Sequence, residues 1–216
     1  MFFADRFEAG RLLAALLGEY ADDREAIVLA LPRGGVPVGF EIAAALRLAL
    51  DVLVVRKLGV PGQPELALGA IASGGIRVIN QDVVEAFSLS PESIERIAAA
   101  EEAELERRER EYRGSRLALD PKGRTVILAD DGLATGSSMR AAAQALRLRR
   151  PAKIIAALPV GSPEACAALS LDVDSFVCLN RPDRFQAVGQ WYERFDQVAD
   201  TDVQQLLRRS ADLLPV

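Results

Sequence analysis

The stretch TVILADDGLATGSSM, residues 125–139, decides how this chain is read. The apolar run Val126, Ile127, Leu128, Ala129 passes straight into two adjacent acids, Asp130 and Asp131, and then into a loop of mostly small residues. A continuous apolar run ended by turn formers reads as a strand buried on both faces, the kind found in parallel sheets. Beyond the loop, residues 137–149 carry Met139, Ala142, Ala143 and Leu146 at helical spacing. The first N–H groups of such a helix lack internal partners, and the helix dipole is positive there. Ala134, Gly136 and Ser137 let an anion come close, while Thr135, Ser137 and Ser138 add hydroxyl donors, which makes residues 134–138 a candidate phosphate site. Neither a P-loop nor a GxGxxG dinucleotide fingerprint is present. The two acids remain to be explained. Neighbouring strand residues face opposite ways, so Asp130 and Asp131 serve different atoms, or they are solvated turn formers.

The same pattern extends outward in both directions. AIVLAL (residues 26–31) is a second buried strand, ended by Pro32, Gly34 and Gly35, and DVLVVR (residues 51–56) is a third. KIIAALPV and SFVCLN add two more, separated by a helix that starts at Ser162-Pro163. Helices are expected over residues 5–20, 36–50 and 200–213, a short strand over residues 76–80, and a Gly/Pro-rich loop over KLGVPGQPELALG. Ser90-Pro91 starts a long charged helix reaching about Arg113. Glu104/Arg108, Glu106/Arg110 and Glu109/Arg113 are i,i+4 pairs along it, and its apolar stripe (Ile94, Ile97, Leu105, Tyr112) is thin. That helix is either a solvated face or a partner-facing one. Strands alternating with helices mean an α/β fold, a parallel sheet with both faces covered. Ligands in such sheets sit at the carboxyl ends of the strands, where each chemically loaded stretch of this chain lies.

Composition narrows the chemistry. The 216 residues are half hydrophobic and 26% charged, in keeping with a globular fold. A net charge of −5 argues against general nucleic-acid binding. No apolar run is long enough for a membrane span, and MFFADRFEAG lacks the basic start of a signal peptide, so a cytoplasmic protein is expected. Cys166 and Cys178 show no CxxC spacing and read as reduced thiols. The absence of histidine removes His-based triads and His-ligated zinc. Carboxylates, Lys/Arg, hydroxyls, backbone N–H groups and a hard metal ion are left.

The strand, acid pair and small-residue loop together closely resemble the phosphoribosyl pyrophosphate (PRPP) motif of the type I phosphoribosyltransferases. Ser137 and Ser138 stand where the commonest family loops have Gly or Thr. The resemblance implies that Ala134, Thr135, Gly136, Ser137 and Ser138 hold the ribose 5-phosphate and that Asp130 and Asp131 face the ribose hydroxyls. LPRGG resembles the family's pyrophosphate loop. There Arg33, Gly34 and Gly35 would meet the diphosphate, and by analogy a non-proline cis bond is expected between Pro32 and Arg33. The plainer reading is a strand-ending turn with an exposed Arg. VVRKLGVPGQPELALGA resembles the strand and mobile loop of the orotate and adenine phosphoribosyltransferases. Arg56 and Lys57 would meet pyrophosphate oxygens while residues 59–69 close over the site; a snorkelling Arg-Lys pair is the alternative.

The resemblance spans roughly residues 26–180, and FADRFEAG and VGQWYERFDQ are similar to a bacterial subgroup of these transferases that gives no substrate. It implies one domain over residues 1–216, with a core over about 24–181 and a small hood from about 1–20 and 182–216. The implied reaction displaces pyrophosphate from PRPP by a ring nitrogen of a nucleobase or similar N-heterocycle, as in nucleotide salvage. Asp130, Asp131 and Lys57 are the candidate catalytic residues. Mg²⁺ would bind mainly through the substrate, with a contribution from Asp130 or Asp131 and no protein cage. A homodimer is expected. In the hood, Phe185, Trp191, Tyr192 and Phe195 either stack a base or form a cluster pinning the tail to the core. Gln63 and Glu65 either bond a base or are solvated. A PRPP-binding regulator without turnover, and a relative using another nucleophile, remain as other readings of the same site.

Overall fold

The computed structural model describes residues 1–213, with the side chains of Pro64 and Glu65 outside that description. Residues 214–216 of the expected hood, and the base contact considered for Glu65, therefore lie outside the described residues. The chain runs α1 (Arg6–Leu16), β1 (Ala26–Ala30), α2 (Gly35–Leu46), β2 (Ala49–Val52), β3 (Val55–Val60), β4 (Gln63–Ala72), β5 (Ile76–Ile79) and α3 (Gln81–Ala86). It continues through α4 (Pro91–Arg113), β6 (Thr125–Ala129), α5 (Ser137–Leu148), β7 (Lys153–Val160), α6 (Pro163–Leu169), β8 (Ser175–Asn180) and α7 (Asp200–Leu213).

Five strands form one parallel sheet in the order β2-β1-β6-β7-β8. Alternation along the strands divides the core into two layers. Ile27, Leu29, Val126, Leu128, Ile154 and Leu158 pack with Met139, Leu146 and Leu169 of α5 and α6. Val28, Ala30, Ile127, Ala129 and Ile155 face the other way, onto Leu13, Phe40, Leu46 and Leu207 of α1, α2 and α7. Both faces are thus covered, and the strands are correspondingly apolar throughout. Among the described residues, no helix is long and apolar enough to cross a membrane.

Three expectations need correction. The helix expected over residues 36–50 ends at Leu46, because Arg47 turns left-handed (φ 55°) and the N–H groups of Arg47 and Leu48 both reach Ala43 O. The strand expected over residues 51–56 breaks after Val52. Ser73 captures the main chain of Val54 there, its hydroxyl accepting from Val54 N at 2.9 Å while Ser73 N donates to Val54 O at 2.9 Å. The segment expected to be a loop is a β-hairpin. β3, β4 and β5 form a separate antiparallel sheet, turning at Pro61-Gly62 with Gly62 at φ 79°. Leu58, Val60, Leu68 and Ile71 are buried beneath that sheet. Burial of these side chains outweighs the weak strand propensity of a Gly/Pro-rich segment.

The charged helix α4 begins and ends as expected, with Ser90 Oγ accepting from Ser93 N. The three expected i,i+4 pairs all form, and Arg107 with Glu111 adds another. Ala98, Leu105 and Tyr112, spaced by seven, bury one stripe in the same core layer as Leu206 and Leu207 of α7. Hence α4 is a packed element of the fold with one solvated face. The two terminal segments meet: Phe3 N donates to Trp191 O at 2.9 Å and Glu193 N to Phe3 O at 2.8 Å.

Candidate active site

β1 and β6 are neighbours, so their carboxyl ends bring two distant loops side by side. Leu31 N donates to Ala129 O at 2.9 Å and continues the pairing to the point where both loops begin. The peptide between Pro32 and Arg33 is cis, as expected. Gly34 and Gly35 then pass directly against the acids. A Cβ on Gly35 would stand 2.8 Å from both Ala129 O and Asp130 Cα, and one on Gly34 would overlap the Asp131 carboxylate. Neither glycine has a positive φ. Both are needed for the close approach of LPRGG to the acid pair.

Asp130 Oδ1 accepts from Asp131 N at 2.9 Å. Burial drives the Asp130 carboxyl well above the usual carboxylate range, and the charge of Asp131 adds to it. Burial raises Asp131 too, opposed by Arg6, whose Nε donates to Asp131 Oδ2 at 2.8 Å. Arg6 is 9% exposed; it also donates to Asp196 O at 2.8 Å and lies 3.8 Å from the Phe195 ring centroid. Sequence reasoning missed Arg6. It stands in the quoted FADRFEAG stretch, yet its partner is 125 residues away and no spacing rule links them.

The candidate phosphate loop is anchored from below and open above. Leu133 bridges to Gly161, with Leu133 N on Val160 O at 2.8 Å, and Ser162 Oγ donates to Ala134 O at 2.9 Å. Gly136, left-handed at φ 76°, caps α5. Ala134, Thr135, Ser137 and Ser138 are exposed, and the hydroxyls of Thr135 and Ser137 lie 3.1 Å apart. A cleft of about 440 Å³ joins Thr135, Ser137 and Ser138 to Lys57 of β3 and Asn80. The candidate phosphate donors and the candidate catalytic lysine therefore line one space.

Other candidate residues lie outside that cleft. Arg56 faces the opposite side of β3 from Lys57 and bonds Glu101 of α4 at 2.6 Å and 2.7 Å. Arg33 lies 3.9 Å from Asp200 of α7, and Asp200 in turn accepts from the Tyr112 hydroxyl at 2.6 Å. In the hood, Trp191 stacks on Phe2 at 5.3 Å, and Tyr192 packs between Phe3 and Phe195. Phe185 packs against the same cluster. Of the hood candidates Tyr192 reaches the acids, its hydroxyl donating to Asp131 O at 2.6 Å. Gln63 is exposed at the tip of the hairpin. Among the described residues no group of three or more acidic or thiol side chains could hold a metal unaided. Asp130 and Asp131 offer hard oxygen donors, which fit a Mg²⁺ ion that takes its remaining ligands from phosphate and water.

A model of the phosphoribosyl transferase domain family matches residues 5–189. The chain belongs to that family. The match takes in Arg6, LPRGG, Lys57, the acid pair and the candidate phosphate loop, and ends before Trp191, Tyr192 and α7. The chain is 44% identical over 208 residues, 96% of its length, to "Putative phosphoribosyl transferase Rv0571c" of Mycobacterium tuberculosis H37Rv. It matches "Putative phosphoribosyl transferase MT0597" of strain CDC 1551 at the same 44%. It spans about half the length of these curated relatives, 47% of each. The crystal structure of TT1426 from Thermus thermophilus superposes with a TM-score of 0.87 at 42% identity, over 97% of this chain and 99% of that one. The parallel five-stranded sheet flanked by helices is thus the fold of a type I phosphoribosyltransferase.

Proposed function

We propose that the chain transfers ribose 5-phosphate from PRPP to a nucleobase or similar N-heterocycle and releases pyrophosphate, a reaction that suits nucleotide salvage. The observation that carries this reading is the meeting, on adjoining strand ends, of the half-buried acid pair with the LPRGG loop on one side and the open 134–138 loop on the other. A sugar with a phosphate group at each end matches that arrangement. The 5-phosphate takes the N-terminus of α5 and the hydroxyls of Thr135, Ser137 and Ser138. Asp130 and Asp131 accept the ribose hydroxyls and face the positive charge that grows on the sugar as its bond to the diphosphate breaks. The diphosphate lies along Arg33, Gly34 and Gly35 with Lys57 on its far side. Arg56 reaches it only by leaving Glu101. Asp130 or Asp131 would offer oxygen ligands to a Mg²⁺ ion, which would neutralise part of the diphosphate charge.

The test is pyrophosphate release from PRPP with Mg²⁺ across a panel of purine, pyrimidine and other N-heterocyclic bases. Release with one acceptor and none without it supports the reading. Tight PRPP binding without release for any base overturns the catalytic half and leaves a PRPP-binding role. Failure to bind PRPP overturns both.

A further inference from the structure

We propose that Cys178 is a site of oxidation by a hydroperoxide and that Cys166 closes the product into a disulfide beside the candidate phosphate loop. The proposal does not depend on the transferase reading above. The sequence shows two thiols without CxxC spacing, and the fold brings them together as free side chains, Cys166 on α6 and Cys178 on β8. They share a hydrogen bond and belong to one apolar layer with Leu133, Leu158 and Leu169. The main chain between them is tight. Asn180 O accepts from Cys178 Sγ at 3.2 Å and from Gly161 N at 3.1 Å, while a Cβ on Gly161 would stand 2.6 Å from Cys166 Sγ. Thiols that already touch can be bridged without a large backbone movement. The same stretch carries the candidate phosphate loop. Gly161 bridges to Leu133, Ser162 at the start of α6 donates to Ala134 O at 2.9 Å, and a Cβ on Gly136 would meet Ala165 at 3.5 Å.

The two thiols differ in their surroundings, and the difference assigns their roles. Cys166 is 3% exposed, and its bond with Cys178 together with burial holds it well above the ordinary thiol value. Cys178 is half-buried; the bond from Cys166 lowers it, the charge of Arg181 adds to this, and burial opposes both. Arg181 is steadied 4.7 Å from the centroid of Phe176, which shares its face of β8 with Cys178. The thiolate is the nucleophile, so Cys178 attacks first. Its sulfur bonds one peroxide oxygen, the O–O bond breaks, and the other oxygen leaves as an alcohol, or as water from hydrogen peroxide, with the proton of the thiol. Cys178 is then a sulfenic acid. The Cys166 sulfur attacks the Cys178 sulfur, the S–O bond breaks, and the hydroxyl leaves as water with the Cys166 proton. Two thiols are oxidised by two electrons, and the hydroperoxide is the oxidant consumed.

The experiment treats the native chain with hydrogen peroxide near neutral pH and follows free thiols and intact mass with and without dithiothreitol. Both thiols are expected to disappear together, the chain to lose the mass of two hydrogens without linking to another chain, and dithiothreitol to restore both. Cys166→Ser is expected to stop at a sulfenic acid on Cys178, which dimedone traps. Cys178→Ser, left with the buried thiol, is expected to react at least about tenfold more slowly than Cys166→Ser. A wild type that keeps both thiols, that gains oxygen on one cysteine while the other stays free, or that forms disulfides only between chains overturns the proposal. Equal rates for the two variants overturn the assignment of Cys178 as the attacking thiol. Where a variant does not fold, the thiol count and mass of the wild type decide. PRPP enters none of these measurements, so failure of the transferase reading leaves their outcome unchanged.

Discussion

Burial and the neighbouring charge of Asp131 make Asp130 hold its proton more tightly in the folded chain than in the unfolded one. Between the ordinary carboxylate value and the raised folded value, the native state therefore binds more protons. Stability falls as pH rises through that window, and the deficit is complete above it. Asp130→Asn, which cannot ionise, is expected to be more stable than wild type at pH 8, with the difference shrinking as pH falls toward about 4. Each 1 kcal/mol recovered appears as about 2–4 °C in Tm for a chain of this size, so melting curves at several pH values read it directly. A difference that grows toward acid pH would show that Asp130 is not the strained group. The strain is of the kind proteins keep at functional sites. At this scale the sequence is legible wherever the chemistry is local. Asp130, Asp131, Gly34, Gly35 and residues 134–138 are each marked as candidates by their neighbours in the sequence. Arg6 is not, because its meaning comes from a partner in another part of the chain.

Two arginines of α4 show what the charge pattern of an element does and does not reveal. Arg107 and Arg113 both look like members of i,i+4 pairs. Arg107 is an exposed surface residue bonded to Glu104 and Glu111. Arg113 is 9% exposed, and besides Glu109 it bonds both oxygens of Asp51 at 2.9 Å and donates to Val52 O at 2.7 Å. Removing one partner of a buried pair strands the other charge. Arg113→Ala is expected to cost about 3–5 kcal/mol in urea unfolding, whereas Arg107→Ala, at an exposed pair screened by solvent, leaves the unfolding midpoint close to that of the wild type. Equal small losses would mean that water relieves Asp51 and that the pair carries no structural weight. The helix ends were readable because Ser90-Pro91 and the charge pairs are local signals. The hairpin was not, because the sequence announces its Gly and Pro residues and hides its partner. Pro61-Gly62 marks the turn, but the irregular spacing of Leu58, Val60, Leu68 and Ile71 gains its meaning from the surface they bury against.

Across the whole molecule, the parallel sheet follows from the apolar strands, whereas the adjacency of β1 and β6 depends on strand order, which lies outside any local pattern. That adjacency builds the candidate site, and the two terminal segments meet beside it. Phe3 pairs with residues 191 and 193, and Tyr192, between them, donates its hydroxyl to Asp131 O at 2.6 Å. Burial pushes the Tyr192 phenol further above its ordinary value, so it stays a neutral donor throughout the physiological range. Tyr192→Phe keeps the ring contacts with Phe3 and Phe195 and removes the one hydroxyl that ties hood to acid pair. The expected loss is about 1 kcal/mol, the effect of leaving a part-buried carbonyl without its donor. It should be the same at pH 6 and pH 9, since no titrating group is removed in that range. Calorimetric melting at the two pH values tests this, and PRPP affinity measured on the same samples tests the coupling. If the hood is a clamp on the acids, affinity falls together with Tm. If Tm falls and affinity stays, the hood stabilises the fold without governing the sugar site.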